Sequence, residues 1–339
     1  MIKKLKFSLL SFLLLLSTDV FADSIEKIKK AYESADYKLA FQLSLPLAEA
    51  GDATAQNYIG VMYSKGEGVT KDFSRAFEWF SKSAHQGNPK AQYNLAVSYE
   101  QGEGTPQDRA KALTLYKIAA ENGNPDAQVD YGWALFDGVD ITKDEQLAKK
   151  MVMASADQLC GRGELALGQF HYFGYAGLPR NREKAIEYSL RAVEHGSPLG
   201  HLFVASIYLE KNELPRNPGK ALELLKSMAR NASRLDPEDT IMVQRMIAKI
   251  YQDGDGVEKN IVKSYAWWRL IHDNPLVRSY AWSMFSQDLP IDLSSLEEKY
   301  GLQEVTSNVS FLESLMTPLQ LKEAENIIKK CKATGNADC

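Results

Sequence analysis

The chain has 339 residues and is mildly acidic, with 40 Lys and Arg against 44 Asp and Glu and a formal net charge of −4. Nucleic-acid binding rests on clustered basic residues, so this composition argues against nucleic acid as the main partner. Only three cysteines are present. That number is too small for a fold held together by a framework of disulfides.

Residues 1–22 have the composition of an export signal. Three lysines precede the apolar run LLSFLLLL, and Val20 and Ala22 occupy the positions expected for signal-peptidase cleavage before Asp23. The apolar run is too short to span a bilayer comfortably, and no longer apolar stretch follows it. We therefore expect residues 1–22 to be removed and the mature protein to be periplasmic or secreted, without a membrane span.

An internal repeat dominates the rest of the chain. The segment that begins at Ala55 aligns without a gap with the segment at Ala91, and a third copy begins at Ala127, so the period is 36 residues. Six copies can be recognised between residues 55 and 274, although the fifth has lost its loop glycines. Repeats of this length are typical of solenoids, in which each copy packs against its neighbours.

Each copy contains two helical patterns, called helix A and helix B, which are separated by a glycine-rich loop such as YSKGEGVTKD at 63–72. Apolar residues recur at three- or four-residue intervals in both halves, and small residues such as Gly60 would let the paired helices approach closely. The spacing of the loop fits neither a phosphate loop nor an EF-hand, so we interpret its glycines as turn residues. Each loop ends on a residue that is predicted to cap helix B: Asp72, Asp108, Asp144, Asn181, Asn217 or Asn260.

The pattern A-x-x-x-L-G-x-x-Y-x-x-G-x-G-V-x-x-D-x-x-K-A-x-x-W-x-x-K-A-A-x-x-G is closely matched by residues 55–87 and by the second and sixth copies. It resembles the Sel1-like repeat, a variant of the tetratricopeptide class. The resemblance implies an all-α fold, namely a right-handed α-solenoid of about six stacked helix-turn-helix repeats with a helical C-terminal cap. Copies three and four depart from the pattern, with Met151 and Tyr188 where a tryptophan is usual.

The same resemblance divides the chain into four regions. After the signal, residues 23–54 are expected to form lead-in helices, residues 55–274 the solenoid, and residues 275–339 a helical cap with a tail. Within the cap, the sequence Thr317-Pro318-Leu319-Gln320 predicts a capping box at the start of a helix over 318–331.

Members of this family mostly serve as adaptors or binding surfaces, and some secreted relatives are reported to bind β-lactams or to hydrolyse them weakly. A weak hydrolase or a binder of β-lactam or cell-wall-type ligands is therefore the alternative to a protein-binding scaffold, and a purely structural periplasmic scaffold is a second alternative. No H-E-x-x-H, G-x-S-x-G or S-x-x-K motif with its companions occurs. We predict no catalytic site, cofactor or metal. The five histidines lie in different copies, at His85, His171, His195, His201 and His272.

The candidate binding surface is the face of helix A that points away from its partner helix. Tetratricopeptide geometry places this face on the concave side, and in the middle copies it is aromatic where a solvated face would be polar. Such a stripe is a candidate groove for a protein or peptide. The alternative is that tight packing buries these side chains against the next repeat. The predicted groove residues are Asn57, Tyr93, Val97, Val129, Trp133, Phe136, Leu165, Gln169, Tyr172 and Leu202.

The C-terminal segment CKATGNADC spaces Cys331 and Cys339 for a disulfide in an oxidising compartment, which would leave Cys160 unpaired. Three free thiols are the alternative.

Overall fold

The computed structural model describes residues 23–210, 216–230, 235–254, 256–274 and 302–334, and these residues contain helices and turns but no strand. The predicted all-α repeat solenoid is thus confirmed. The chain divides into two compact units. Unit 1 comprises Met1–Leu167 and Gly174–Pro179, and unit 2 comprises Gly168–Phe173 and Arg180–Cys339. The predicted signal at 1–22 lies outside the described residues, so it stays a prediction.

Unit 1 contains the lead-in helices and the first three helix pairs, followed by the first half of a helix that continues into unit 2. A short 3-10 helix at Tyr175–Gly177 also belongs to it. Its helices are α1 (23–33), α2 (Tyr37–Glu49), α3 (Ala53–Lys65), α4 (Phe73–His85), α5 (Pro89–Gln101), α6 (Arg109–Glu121), α7 (Pro125–Asp137), α8 (Glu145–Asp157) and the start of α9 (Gly161–Phe173).

Unit 2 contains the end of α9, the helices of the later copies and two C-terminal helices. These helices are α10 (Arg182–Glu194), α11 (Leu199–Leu209), α12 (Pro218–Arg230), α13 (Pro237–Asp253), α14 (Ile261–His272), α15 (Leu302–Leu315) and α16 (Pro318–Ala333). Both α15 and α16 pack on α14, where Trp267 and Trp268 are almost fully buried.

Helix B begins in each copy at the Asp or Asn that the sequence predicts. The side chain accepts a hydrogen bond from the backbone N–H three residues later, at 3.0 Å from Arg75 to Asp72 in the first copy. The other five caps make the same bond at 2.8 to 3.0 Å. In the loop of the first copy, Gly66 and Gly68 have φ of +76° and +73°, which is the left-handed region that favours glycine. The predicted role of these glycines is confirmed.

The paired helices approach closely at the small residues of helix A. A Cβ atom built on Gly60 would lie 2.5 Å from Cδ1 of Phe80 on α4, and one on Gly132 would lie 3.0 Å from Cγ2 of Val152 on α8. Larger side chains at these positions would separate the helices. The predicted register of the helix pair is therefore correct.

The C-terminal helix α16 has the predicted capping box. The backbone N–H of Gln320 donates to Oγ1 of Thr317 at 3.3 Å, and the backbone N–H of Thr317 donates to Oε1 of Gln320 at 2.9 Å. Cys331 on α16 is fully buried, and Cys160 is a free thiol, as expected. Cys339 lies outside the described residues, so its bond to Cys331 stays a prediction.

Candidate functional site: a charged aromatic pocket in unit 1

Unit 1 contains a pocket of about 400 Å³ between α5, α6 and α7, and Arg162 in the first turn of α9 also lines it. Half of its lining side chains are aromatic or aliphatic, and the others are charged or polar. The lining residues are Tyr93, Val97, Glu100, Gln101, Arg109, Leu113, Tyr116, Asp130, Trp133, Ala134, Asp137 and Arg162.

Helices α5 and α7 supply three of the predicted groove residues to this pocket. Tyr93 and Val97 lie one turn apart on α5, and Trp133 on α7 occupies the repeat position that corresponds to Val97. All three are half-buried. The 36-residue repeat brings equivalent helix-A positions to the same face, which is why residues distant in sequence meet here.

Arg162 organises the polar side of the pocket. Its guanidinium lies 2.5 Å from Oδ1 of Asp130 and 3.1 Å from Oδ1 of Asp126, and it donates a 3.0 Å hydrogen bond to the hydroxyl of Tyr93. Burial lowers the pKa of Arg162, but Asp130 and the other neighbours outweigh this effect and raise it overall. Burial raises the pKa of Asp130, and Arg162 opposes that rise. Arg162 thus stays charged and ties the start of α9 to α5 and α7.

A second polar contact involves Tyr116, which α6 contributes from the helix-B side. Its hydroxyl donates to Oε2 of Glu100 at 2.7 Å, and its ring lies 5.7 Å from the ring of Tyr93. Burial raises the pKa of Tyr116, and the bond to Glu100 raises it further. Burial raises the pKa of Tyr93 as well, with a further contribution from Asp130. Both phenols are therefore neutral at physiological pH.

Trp133 also belongs to an aromatic cluster beside the pocket. Its ring lies 5.9 Å from Phe136 and 6.4 Å from Tyr175, both in edge-on contacts, and Phe136 lies 4.4 Å from Tyr175. Tyr175 comes from the 3-10 helix after α9. Such contacts fix ring orientation and contribute beyond their buried area. Trp133 thus packs against this cluster and has part of its surface at the pocket.

The other predicted groove residues lie elsewhere. Asn57 and Val129 are buried, and Asn57 accepts a 2.9 Å hydrogen bond from Nδ2 of Asn94. Phe136 lies in the aromatic cluster, and Leu165 is half-buried on α9. The remaining three, in unit 2, are Gln169, Tyr172 and Leu202.

In unit 2, Tyr172 is largely buried, and its hydroxyl donates to the carboxylate of Glu210. Its ring packs edge-on against Phe203 at 5.5 Å. Gln169 is half-buried, and Leu202 packs against the apolar core of α12–α14. The predicted groove as a whole stays a prediction.

Sequence reasoning missed Arg162, Asp130 and Tyr116. Tyr116 lies on helix B, where an aromatic residue at helical spacing predicts a residue of the hydrophobic core. A usable signal did exist for Asp130, because it stands where the neighbouring copies have Asn94 and Ala166. Arg162 gave no such signal, since Lys90 and Asp126 occupy the equivalent positions. A charged residue at a repeat position that is neutral in the neighbouring copies is the pattern that would have identified Asp130.

Within the described residues, no group of three or more His, Cys, Asp or Glu side chains is placed to hold a metal ion. Among the helices described, none has both the length and the apolar character that crossing a bilayer requires.

Six segments of the chain match the model of the Sel1 repeat, and together they cover more than half of its length. The chain belongs to the Sel1 repeat family. Sel1 repeat proteins are generally protein-interaction scaffolds. The matched residues are 53–88, 89–124, 125–152, 162–197, 199–233 and 241–270.

Solved structures of several other proteins are similar to this chain. A Sel1 repeat protein from Oxalobacter formigenes is 28% identical, with a TM-score of 0.62 over 75% of this chain and 98% of that one. The protective antigen c5321 from uropathogenic Escherichia coli is 24% identical over 92% and 68% of the two chains, with a TM-score of 0.49. The immunity protein Pa5087 from Pseudomonas aeruginosa is 19% identical over 65% and 80%, with a TM-score of 0.45. No curated protein matches the chain.

Proposed function

We propose that this Sel1 repeat protein binds a segment of a partner protein or peptide in the pocket of unit 1. The observation that carries the proposal is the convergence of Tyr93, Tyr116 and Trp133 on one cavity between helices of adjacent repeats. Aromatic side chains in partly desolvated pockets are typical anchor points of protein interfaces. Membership of the Sel1 repeat family also supports a protein partner, because members of this family generally act through protein partners.

The side chains at the pocket favour binding over hydrolysis. Its lining residues include no Ser, Thr, Cys, Lys or His that could act as a nucleophile beside a base. Of its charged groups, Arg162 is bound to two carboxylates and a phenol, and Glu100 accepts from Tyr116. These groups are held in position for recognition. A β-lactam hydrolase therefore gains no support from this site.

We also propose that the protein is exported to the periplasm or the exterior. Support comes from residues 1–22 alone, in which basic residues precede an apolar run and a cleavage-compatible segment. The partner would then be a component of the envelope or of the surroundings of the cell.

Site-specific photo-crosslinking in the native envelope tests the binding site. A photoreactive amino acid at Gln101, an exposed residue that lines the pocket, should crosslink a small set of defined polypeptides. The same amino acid at Met153 is the control, because Met153 is an exposed residue of α8 that does not line the pocket. Adding Trp133→Ala should lower the Gln101 yield at least about fivefold, since aromatic anchors commonly contribute about 2 kcal/mol.

Two results would count against the site. Equal crosslinking from Gln101 and Met153 would show that the partner does not select the pocket. An unchanged yield after Trp133→Ala, in a variant whose circular dichroism and melting match those of the parent, would leave a structural scaffold as the better reading.

A further inference from the structure

The pocket of unit 1 holds more negative than positive charge. Arg162 is paired with both Asp126 and Asp130, so this cluster keeps one negative charge in excess. Arg109, the other basic residue of the lining, has its Nε 2.8 Å from the carboxylate of Asp140. Both cations of the pocket are thus already committed to acids.

Two further carboxylates, those of Glu100 and Asp137, line the pocket. Within the part of the chain that the structure describes, neither Glu100 nor Asp137 has a Lys or Arg nitrogen within 4.0 Å. Glu100 accepts a hydrogen bond from Tyr116, but a phenol is a neutral donor and leaves the charge in place. Tyr116 and Trp133 line the same cavity. Carboxylates next to aromatic faces are the groups that recognise an ammonium or a guanidinium.

We infer that the pocket receives a lysine or arginine side chain of the bound segment, with its charged head group at Glu100 and Asp137. This inference rests on the proposed function and adds the chemistry of the partner. A volume of about 400 Å³ is near the lower end for ligand pockets, which run from about 300 to 1,000 Å³. It suits one long side chain with the neighbouring backbone. An acidic segment would meet excess carboxylates and no uncommitted cation, so the pocket discriminates by charge.

Fluorine NMR of the full chain labelled with 5-fluorotryptophan tests the charge preference, with Trp133→Phe used to assign the Trp133 resonance. The probes are three peptides of the form acetyl-Ala-X-Ala-amide, in which X is arginine, norleucine or glutamate. The arginine peptide should shift the Trp133 resonance in a saturable manner. The norleucine peptide should bind about tenfold more weakly or worse, because it lacks the charge, and the glutamate peptide should give no shift.

Two isosteric variants locate the charge that is responsible. Glu100→Gln and Asp137→Asn should each weaken binding of the arginine peptide about three- to tenfold while leaving that of the norleucine peptide unchanged. Asp157→Asn is the matched control, since Asp157 is an exposed acid of α8 that does not line the pocket. This control changes the net charge by the same amount as the two pocket variants and should leave the affinity for the arginine peptide unchanged.

The outcomes separate this inference from the proposed function. If all three peptides shift Trp133 with similar affinity, the pocket binds peptides and the charge preference is wrong. The preference is also wrong if Asp157→Asn weakens binding as much as Glu100→Gln. If no peptide shifts Trp133, the inference fails, and the crosslinking from Gln101 then decides alone whether the pocket binds a partner.

Discussion

The loop after α5 and the loop after α7 make the same turn in different ways. In the first, Gly104 has φ of +72°, and a Cβ atom there would lie 2.6 Å from the carbonyl carbon of Phe73 at the start of α4. In the second, the equivalent residue is Asp140, with φ of +61°, and its carboxylate pairs with Arg109 at the start of α6. A close backbone approach in one copy is thus replaced by an ion pair in the next.

The two loops nevertheless share one hydrogen bond. The backbone N–H of the cap residue donates to a carbonyl near the end of helix A, at 2.8 Å from Asp108 to Tyr99 and at 3.0 Å from Asp144 to Leu135. The fifth copy has no loop glycine, yet Asn217 makes the same bond to Tyr208 at 2.9 Å. The helix pair therefore requires this hydrogen bond and the cap of helix B. The second loop glycine, such as Gly104, is needed only where the loop touches the preceding copy.

The largest effect should come from giving the first loop the residue of the second. Gly104→Asp should lower the free energy of unfolding by about 3 kcal/mol, because a side chain at this position meets the backbone of α4. Urea unfolding measures it. Gly87→Asp is the control, since Gly87 also has a positive φ, of +84°, but a Cβ atom there meets nothing within 4 Å. Its cost should be about 1 kcal/mol. Equal losses of stability in the two variants would mean that the contact with α4 is not the reason why position 104 requires glycine.

Removing the cap should affect both kinds of loop alike. Asp72→Ala, after a glycine loop, and Asp144→Ala, after the loop with Asp140, should each lower the free energy of unfolding by about 1 kcal/mol. Each side chain accepts one backbone N–H at the start of helix B, at 3.0 and 2.9 Å. Asp72→Asn and Asp144→Asn are the controls, because asparagine caps equally well. A loss confined to one of the two loops would contradict the view that the cap is the shared element.

These comparisons also show which features the sequence reveals. The caps and the tight contact at Gly60 were predictable, because each depends on residues of one helix pair that recur at a fixed spacing. The pocket was only partly predictable. Tyr93, Val97 and Trp133 follow from the repeat, but Arg162 reaches Asp130 across 32 positions. The equivalent residues of the preceding copies, Asn94 with Asp126 and Tyr58 with Lys90, cannot form this Arg–Asp pair. The departure at Asp130 is visible in the sequence, but the repeat does not show that Arg162 is its partner.

The ion pair that replaces the glycine contact should contribute little to stability. Asp140→Asn keeps a residue that tolerates the left-handed region and removes the charge next to Arg109. Both side chains are more than half exposed, so the loss should not exceed about 0.5 kcal/mol. Binding of the arginine peptide should weaken measurably, because Arg109 would then be an uncommitted cation at the pocket. A loss of stability above 1 kcal/mol would show that the pair, and not the cap, holds this loop.

The smallest effect on stability is expected from Asp108, the cap that follows the glycine loop of α5, and it depends on pH. The backbone N–H of Lys111 donates to Asp108 and lowers the pKa of its carboxyl, and the Lys111 side chain lowers it further. A folded pKa below the unfolded value of about 3.9 means that the carboxylate stabilises the fold fully above that pH. The contribution is lost as the pH falls through the folded pKa.

Carbon-13 NMR titration of Asp108 should therefore give a pKa below that of an unstructured aspartate. Lys111→Met should move it back only in part, because the backbone bond remains. A pKa at or above 3.9 in the parent would contradict the capping role that the structure gives to Asp108.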